Sequence, residues 1–440
     1  MATYRKVAES LRGAHQQARA RPDPSHVPAA GPKDPSATDF TSLPGYRAVM
    51  LAQTAADLLG LPSPFFRVID ASDGTRVSID GRWVENFASY DYLSLNRSPR
   101  VADPVVEAVR AHGVSATASR LVGGNHALHA ELEAALAGFI GTEAALAFVS
   151  GHATNQALLR VLVGPQDLVA VDALAHNSVF EGIRVSGARH ITFPHNDWQS
   201  LDRRLGEIRK DSKRVLIVTE GLYSMDGDRP DLAAFVALKR RHDAWLMLDE
   251  AHSLGVLGPT GRGLCEEAGV PVRDVDIIMG TLSKALCSAG GVVAGSRVLI
   301  DLLRHQAPGF VYSVGLSIPN TAAALAALAA LREDPGRVTR LRAAGAAFLR
   351  KARSLGLDTG QAMGSAIVPV IIGDSLRAVW VSARLLERGF NVLPIIAPAV
   401  PERSARLRFF LNAGHDPAQI DAVLDCTAAL VAEARGLTFR

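Results

Sequence analysis

Val215-Leu216-Ile217-Val218-Thr219-Glu220-Gly221 holds four apolar residues in a row, then polar ones, then a glycine. The same order returns in Trp245-Leu246-Met247-Leu248-Asp249-Glu250-Ala251-His252 and in Ile277-Ile278-Met279-Gly280-Thr281-Leu282-Ser283-Lys284. Unbroken apolar runs this short suit strands buried on both faces. Val292 to Ala294 is a further run. Between about residues 100 and 325 helical stretches such as Ala130 to Phe139 alternate with these runs. That alternation implies an α/β domain with a mainly parallel sheet covered by helices. Chemistry in such sheets gathers beyond the carboxyl ends of the strands, where the polar residues of these three segments fall.

Beyond about residue 325 the pattern changes. Helices are expected over Ala322 to Arg332 and Arg342 to Leu355, a strand over Ile367 to Ile372, and a helix from Arg377 to Arg388. A proline-rich loop, a strand over Arg406 to Leu411 and a last helix from Pro417 complete a smaller α+β domain over 326–440. Before the large domain, residues 41–99 hold a helical pattern from Gly45, carrying Val49, Leu51, Ala55, Leu58 and Leu59, stopped by Gly60 and Pro62. Strand-like pieces follow at Arg67 to Ile69, Arg76 to Ile79 and Trp83 to Phe87. Asp73-Gly74 and Asp80-Gly81 are the turns of this small meander. Residues 1–40 are broken by Pro22, Pro24, Pro28, Pro32 and Pro35 and read as a flexible appendage. Their arginines also suit a mitochondrial transit peptide, but the apolar periodicity is thin and no clear cleavage signal follows. A short helical tail that docks to a partner is preferred.

Composition narrows the function classes. With 440 residues, 48% of them hydrophobic, the chain is too long and apolar for a disulfide miniprotein or a disordered tail. A net charge of +3 gives no basic stripe, so nucleic acid is not expected as a partner. Cys265, Cys287 and Cys426 match neither a disulfide framework nor a zinc spacing. They favour a reducing, cytoplasmic compartment, and no metal site is expected. Thr321 to Leu331, closed by Arg332, falls short of the ~20 apolar residues of a membrane span and reads as a buried helix.

Taken alone, Lys284 is a solvated loop charge. Together with an acid at Asp249, an imidazole at His252 and hydroxyls at Thr281 and Ser283 it forms the set that pyridoxal phosphate requires. A lysine supplies the Schiff base, a carboxylate holds the proton on the pyridine nitrogen, and hydroxyls with helix-start N–H groups take the phosphate.

At these residues the sequence resembles the α-oxoamine synthases, pyridoxal phosphate enzymes that include aminooxononanoate synthase, aminoketobutyrate ligase and serine palmitoyltransferase. The resemblance runs from about Gly45 to the C-terminus. Its marks are NFASYDYL from Asn86, SRLVGGNHALHAELE from Ser119, SGHATN from Ser150, TEGLYSMDGD from Thr219, LDEAHSLGVLGPTGRG from Leu248, GTLSKAL from Gly280 and ARLRFFLNAGHD from Ala405. It implies the aminotransferase-like fold of type I, with a seven-stranded sheet in the large domain. It also implies that Lys284 bears the cofactor, that Asp249 pairs with the pyridine nitrogen, and that His252 and Ser224 hold the phenolic oxygen. His176 matches the histidine stacked on the ring. Ser150, Gly151 and His152 lie in the phosphate segment, with Thr281 adding its hydroxyl. Ser313 matches a residue reaching the phosphate of the neighbouring subunit, so a homodimer with shared sites is implied.

Arg408 matches the arginine that grips the substrate carboxylate, as a bidentate guanidinium can. Arg406 is expected to face the other way along the strand. Tyr90 stands where many members have asparagine and is assigned to the substrate pocket. A second arginine used by serine palmitoyltransferase falls on Ile396, so serine specificity is not carried over. Ser115-Ala116-Thr117-Ala118, Ser94 and Val314 also depart from the family pattern and bear on the substrate pockets. The implied reaction condenses glycine, alanine or serine with an acyl thioester, of coenzyme A or of a carrier protein, and loses carbon dioxide to give an α-aminoketone. An aminotransferase or decarboxylase shares the lysine and aspartate but does not by itself account for the combined SYDYL, DEAHS and ARLRFF segments. A non-catalytic scaffold is expected to have lost one of the two.

Overall fold

The computed structural model describes residues 38–47, 49–50 and 63–437. The tail expected over 1–40 lies almost wholly outside the described residues. Of the helix expected from Gly45, residues 44–47 and 49–50 are helical and the remainder lies outside.

The meander comprises β1 (Ala71–Ser72), β2 (Arg76–Ile79) and β3 (Arg82–Asn86). Its first strand lies at 71–72 and not at Arg67 to Ile69. Ala71 and Ser72 pair with Ser78 and Val77, while Arg67 spends its guanidinium on Asn391 Oδ1 and Ser382 Oγ.

The central sheet holds β4 (Ala144–Phe148), β5 (Leu168–Asp172), β6 (Arg189–Phe193), β7 (Val215–Glu220), β8 (Trp245–Asp249), β9 (Ile277–Thr281) and β10 (Gly291–Gly295). Their order is β4-β10-β9-β8-β7-β5-β6, with only β10 antiparallel to its neighbours. Alternate residues feed different faces: Ile217, Leu246 and Ile278 join one apolar cluster, and Leu216, Met247 and Ile277 the other. Burial on both faces is why these strands are apolar throughout, each such side chain contributing roughly 1.5–3 kcal/mol. The edge strand β6 is mostly exposed. The helix Ile318–Glu333 contains the Ala-rich stretch and is largely buried. Among the described residues no helix is long and apolar enough to cross a membrane.

In the C-terminal part β11 (Ile367–Gly373), β13 (Leu393–Ile395) and β14 (Ala405–Phe410) form a sheet ordered β11-β14-β13. The short β12 (Phe390–Asn391) instead pairs in parallel with β3, tying the meander to this part of the chain. The chain also crosses between the two where Phe410 N–H donates to Phe87 O. Arg408 on β14 is thereby fixed opposite Pro369 and Leu393.

Candidate active site

The parallel strands deliver their carboxyl ends to one edge. Glu220 and Asp249 end β7 and β8 in register, and Thr281 ends β9 opposite Gly291. Gly291 also pairs with Phe148, so β4 hands the chain to Ser150 and the helix Gly151–Leu162 at the same edge. A Cβ on Gly291 would lie 2.8 Å from Gly151 Cα, so glycine is what lets this helix start so close to the sheet. Ser150 Oγ caps Ala153 N–H, and Thr154 N–H donates to Ser150 O. The N–H groups of Gly151 and His152 have no partner among the described residues. Thr281 Oγ1 lies 3.2 Å from where a Gly151 Cβ would stand. Two free amides at a helix start beside a hydroxyl can hold a phosphate.

Lys284 follows β9 in a turn. Burial pulls its ammonium down to about 8, against the opposing carboxylates of Asp249 and Glu220 and with help from the positive Arg408. Its Nζ lies 5.7 Å from the centroid of the Tyr90 ring. Tyr90 also packs edge-on to His252 and lies 3.4 Å from Arg408 Nη2 through its hydroxyl. Lys284, His252 and Arg408 thus converge around one tyrosine.

Asp249 is buried; Oδ2 accepts from Asn155 Nδ2 at 3.0 Å and Oδ1 from Ala251 N–H at 3.0 Å. Burial, then Lys284 and Arg408, hold His252 well below the ordinary histidine value. Tyr92 OH lies 2.8 Å from His252 Nδ1, and burial raises its phenol far above the usual range. With no other acceptor for its proton among the described residues, the phenol is the donor, and His252 is neutral with its proton on Nε2. His176 caps the helix Asn177–Ser186, its Nδ1 accepting from Ser178 N–H, and its own N–H donates to Glu220 Oε1 at 2.6 Å. Burial lowers its value also, so it too presents Nε2–H. Its ring meets that of His152 at 6.5 Å, close to perpendicular.

Arg408 donates to Ser224 O at 3.1 Å, lies 3.4 Å from Met225 Sδ, and stacks its guanidinium 4.6 Å from the Phe410 centroid. Its Nε is buried without a partner, and no carboxylate pairs with it among the described residues. Arg406, expected to face away, reaches the same loop, bonding Met225 O and Asp226 Oδ1. Side chains two apart on a strand share a face, so the expectation misapplied the strand period. Ser224 lies at this loop with its hydroxyl unpaired among the described residues. Ser313 lies between exposed Tyr312 and Val314, and no hydrogen bond joins it to the cluster among the described residues.

The structure therefore brings together Lys284, Asp249, His252, His176, His152, Ser150, Gly151, Thr281, Ser224, Tyr90 and Arg408. Sequence reasoning gave no role to Asn155, Ser178 and Tyr92, and placed Glu220 at the strand edge without assigning it one. Asn155 was legible in one respect, since it follows Gly151 by four residues and so lies on the same helix face. A phosphate cradle, a buried carboxylate, neutral imidazole donors and a lysine near neutrality together fit pyridoxal phosphate.

The aminotransferase class I and II family model matches residues 83–426. The 8-amino-7-oxononanoate synthase of Geobacter sulfurreducens is 44% identical over 368 residues, covering 83% of this chain and 93% of that protein. That of Maricaulis maris is 44% identical over 354 residues, covering 79% and 87%. Among solved structures, Sphingomonas wittichii serine palmitoyltransferase superposes with a TM-score of 0.86 at 30% identity, covering 91% of this chain and all of that one. The chain belongs to the aminotransferase class I and II family of pyridoxal phosphate enzymes and, within it, to the α-oxoamine synthases. It is an acyltransferase of fold type I that uses pyridoxal phosphate to condense an amino acid with an acyl thioester, with loss of carbon dioxide.

Proposed function

We propose that the amino acid is glycine, alanine or serine, that its carboxylate is held by Arg408, and that Lys284 both anchors pyridoxal phosphate and moves the α-proton. The observation that carries this reading is the Arg408 guanidinium: it lies beside the lysine yet, among the described residues, contacts a carbonyl, a thioether, a phenol and a ring and no carboxylate. A charged fork left without an anion at an active site is a receptor for one. When bound, the cofactor supplies an electron sink for the amino acid's α-carbon. Lys284, with its value near 8, takes the α-proton as a free amine and can return it. Arg408 selects which bond at the α-carbon is broken by fixing the carboxylate.

Asp249 faces the pyridine nitrogen in this reading, with His252 and Ser224 on the phenolic oxygen. Ser150, Gly151, His152 and Thr281 take the phosphate. His176 covers the ring face, and its Nε2–H donates to the acyl carbonyl. A groove of about 580 Å³ leads from Lys284 and Tyr90 past Ile69, Val77 and Leu393, with Arg67, Asp91 and Arg97 also on its walls, and gives the acyl thioester a path that is part apolar and part charged. Its thioester comes from coenzyme A or a carrier protein. The relatives are named for 8-amino-7-oxononanoate, whose adjacent amine and ketone support an α-aminoketone product.

A homodimer in which Ser313 serves the neighbouring site accounts for the exposure of Val122, Tyr312 and Val314 at 80%, 86% and 52%. Three free cysteines suit the cytoplasm. The test is to titrate holoenzyme with glycine, alanine and serine separately while recording the cofactor's visible band. One of them saturating the change, and losing it in Arg408→Ala, supports the reading. Equal saturation in that variant contradicts it.

A further inference from the structure

Two of the residues above meet through a third that is assigned no part in the reaction. Asn155 is 1% exposed, and its side-chain amide spends both hydrogens inside the site: one on Asp249 Oδ2 at 3.0 Å, the other on Ser178 Oγ at 2.9 Å. Because Ser178 Oγ receives that hydrogen, its own proton is free for His176 Nδ1, 2.7 Å away. Ser178 N–H reaches the same nitrogen. Every bond in the chain then points outward from Asn155, toward the carboxylate on one side and the imidazole on the other.

The backbone is built for this reach. A Cβ on Gly182 would stand 2.9 Å from Asn155 O and 2.6 Å from Leu159 Cδ1, so only glycine allows the helices Gly151–Leu162 and Asn177–Ser186 to approach this closely. The helix that starts at the two free amides thus also carries the link between Asp249 and His176.

We infer that Asn155 is a positioning residue that joins Asp249 and His176 into one unit, fixing the carboxylate's orientation and holding His176 as the Nε2–H tautomer. The inference rests on the cofactor contacts proposed above for Asp249 and His176. Charged and titratable groups facing the unit are Glu220 on β7, His252 after β8, Lys284 after β9, His152 on the same helix and Arg408 on β14. Asn155 adds no charge among them, which is what an amide offers and a carboxylate does not.

Two variants test it, Asn155→Ala and Asn155→Asp, both prepared as holoenzyme with kcat normalised to bound cofactor. In Asn155→Ala kcat should fall about tenfold or more with the amino-acid KM within about twofold, because Asp249 Oδ2 and Ser178 Oγ each lose a donor and Ser178 is no longer oriented toward His176. In Asn155→Asp two carboxyls at hydrogen-bond distance share one proton at low pH, which restores the bond to Asp249 but leaves no donor for Ser178 Oγ. Its kcat should exceed that of Asn155→Ala there without reaching wild type, and fall about tenfold per pH unit once that proton leaves, a limb absent from the wild-type profile. The cofactor's visible band should shift along the same limb. Wild-type normalised kcat and pH profile in both variants would overturn the inference and leave the proposed function standing. A wild-type enzyme that fails to condense the substrates would remove the proposed function and the inference with it.

Discussion

Arg406 and Arg408 leave the same face of β14 for the same loop, and only Arg406 finds a carboxylate there, that of Asp226 at 2.6 Å. One arginine is thereby structural and the other remains available. Arg408→Ala should keep its cofactor and lose amino-acid affinity by about a hundredfold, as expected for a charge-assisted clamp. Arg406→Ala should instead lose stability and keep amino-acid affinity. Removing one partner of a largely buried pair costs about 3–5 kcal/mol, so the denaturation midpoint should drop while amino-acid affinity per folded chain changes little. Titration of both variants beside a denaturant series separates the two.

Lys284 sets a pH dependence. The free amine attaches the cofactor, and burial lowers its value to about 8. The rate at which apoenzyme captures pyridoxal phosphate should rise with pH and level off above about 8. An ordinary lysine, near ~10.4, would still gain about tenfold per unit there. Stopped-flow absorbance on apoenzyme reads this directly.

Behind the site, His195 bridges Asp172 and Asp228, at 2.9 Å to each, and packs against Tyr223. Burial lowers its value, but hydrogen bonds and charge from the two aspartates outweigh burial and raise it to about 10. Its folded value lies above its unfolded one, near ~6.5, so its stabilising charge is complete below about 6.5 and is lost as pH rises toward about 10. Wild-type thermal stability should decline across that window. His195→Gln should start lower by a few kcal/mol and lack this decline.

Tyr92→Phe removes the donor to His252 Nδ1 and leaves a buried acceptor unpaired, a loss of about 1–3 kcal/mol. The account expects lower stability together with a changed pH titration of the cofactor's visible band, since the His252 proton is no longer confined to Nε2. A stability loss with an unaltered titration would mean that Tyr92 only packs.

What could be read from the chain follows from burial. The strands β7, β8, β9 and β10 are buried on both faces and show as apolar runs, so Asp249, His252 and Lys284 stand out where those runs stop. β4 is alanine-rich and β6 is an exposed edge, and neither announces itself. The pairing of β3 with β12 joins residues about three hundred apart, and no local pattern encodes it. Asn155 and Ser178 are neutral, buried and helical, so their use depends on two helices meeting at Gly182. Arg406 failed for a different reason, a miscounted strand period.

The reaction is defined by which bonds break. Holoenzyme supplied with carboxyl-labelled amino acid and an acyl thioester should release labelled carbon dioxide and free thiol in a one-to-one ratio with the aminoketone formed. Labelled carbon dioxide without thiol, or amino transfer to a keto acid with neither, would contradict it.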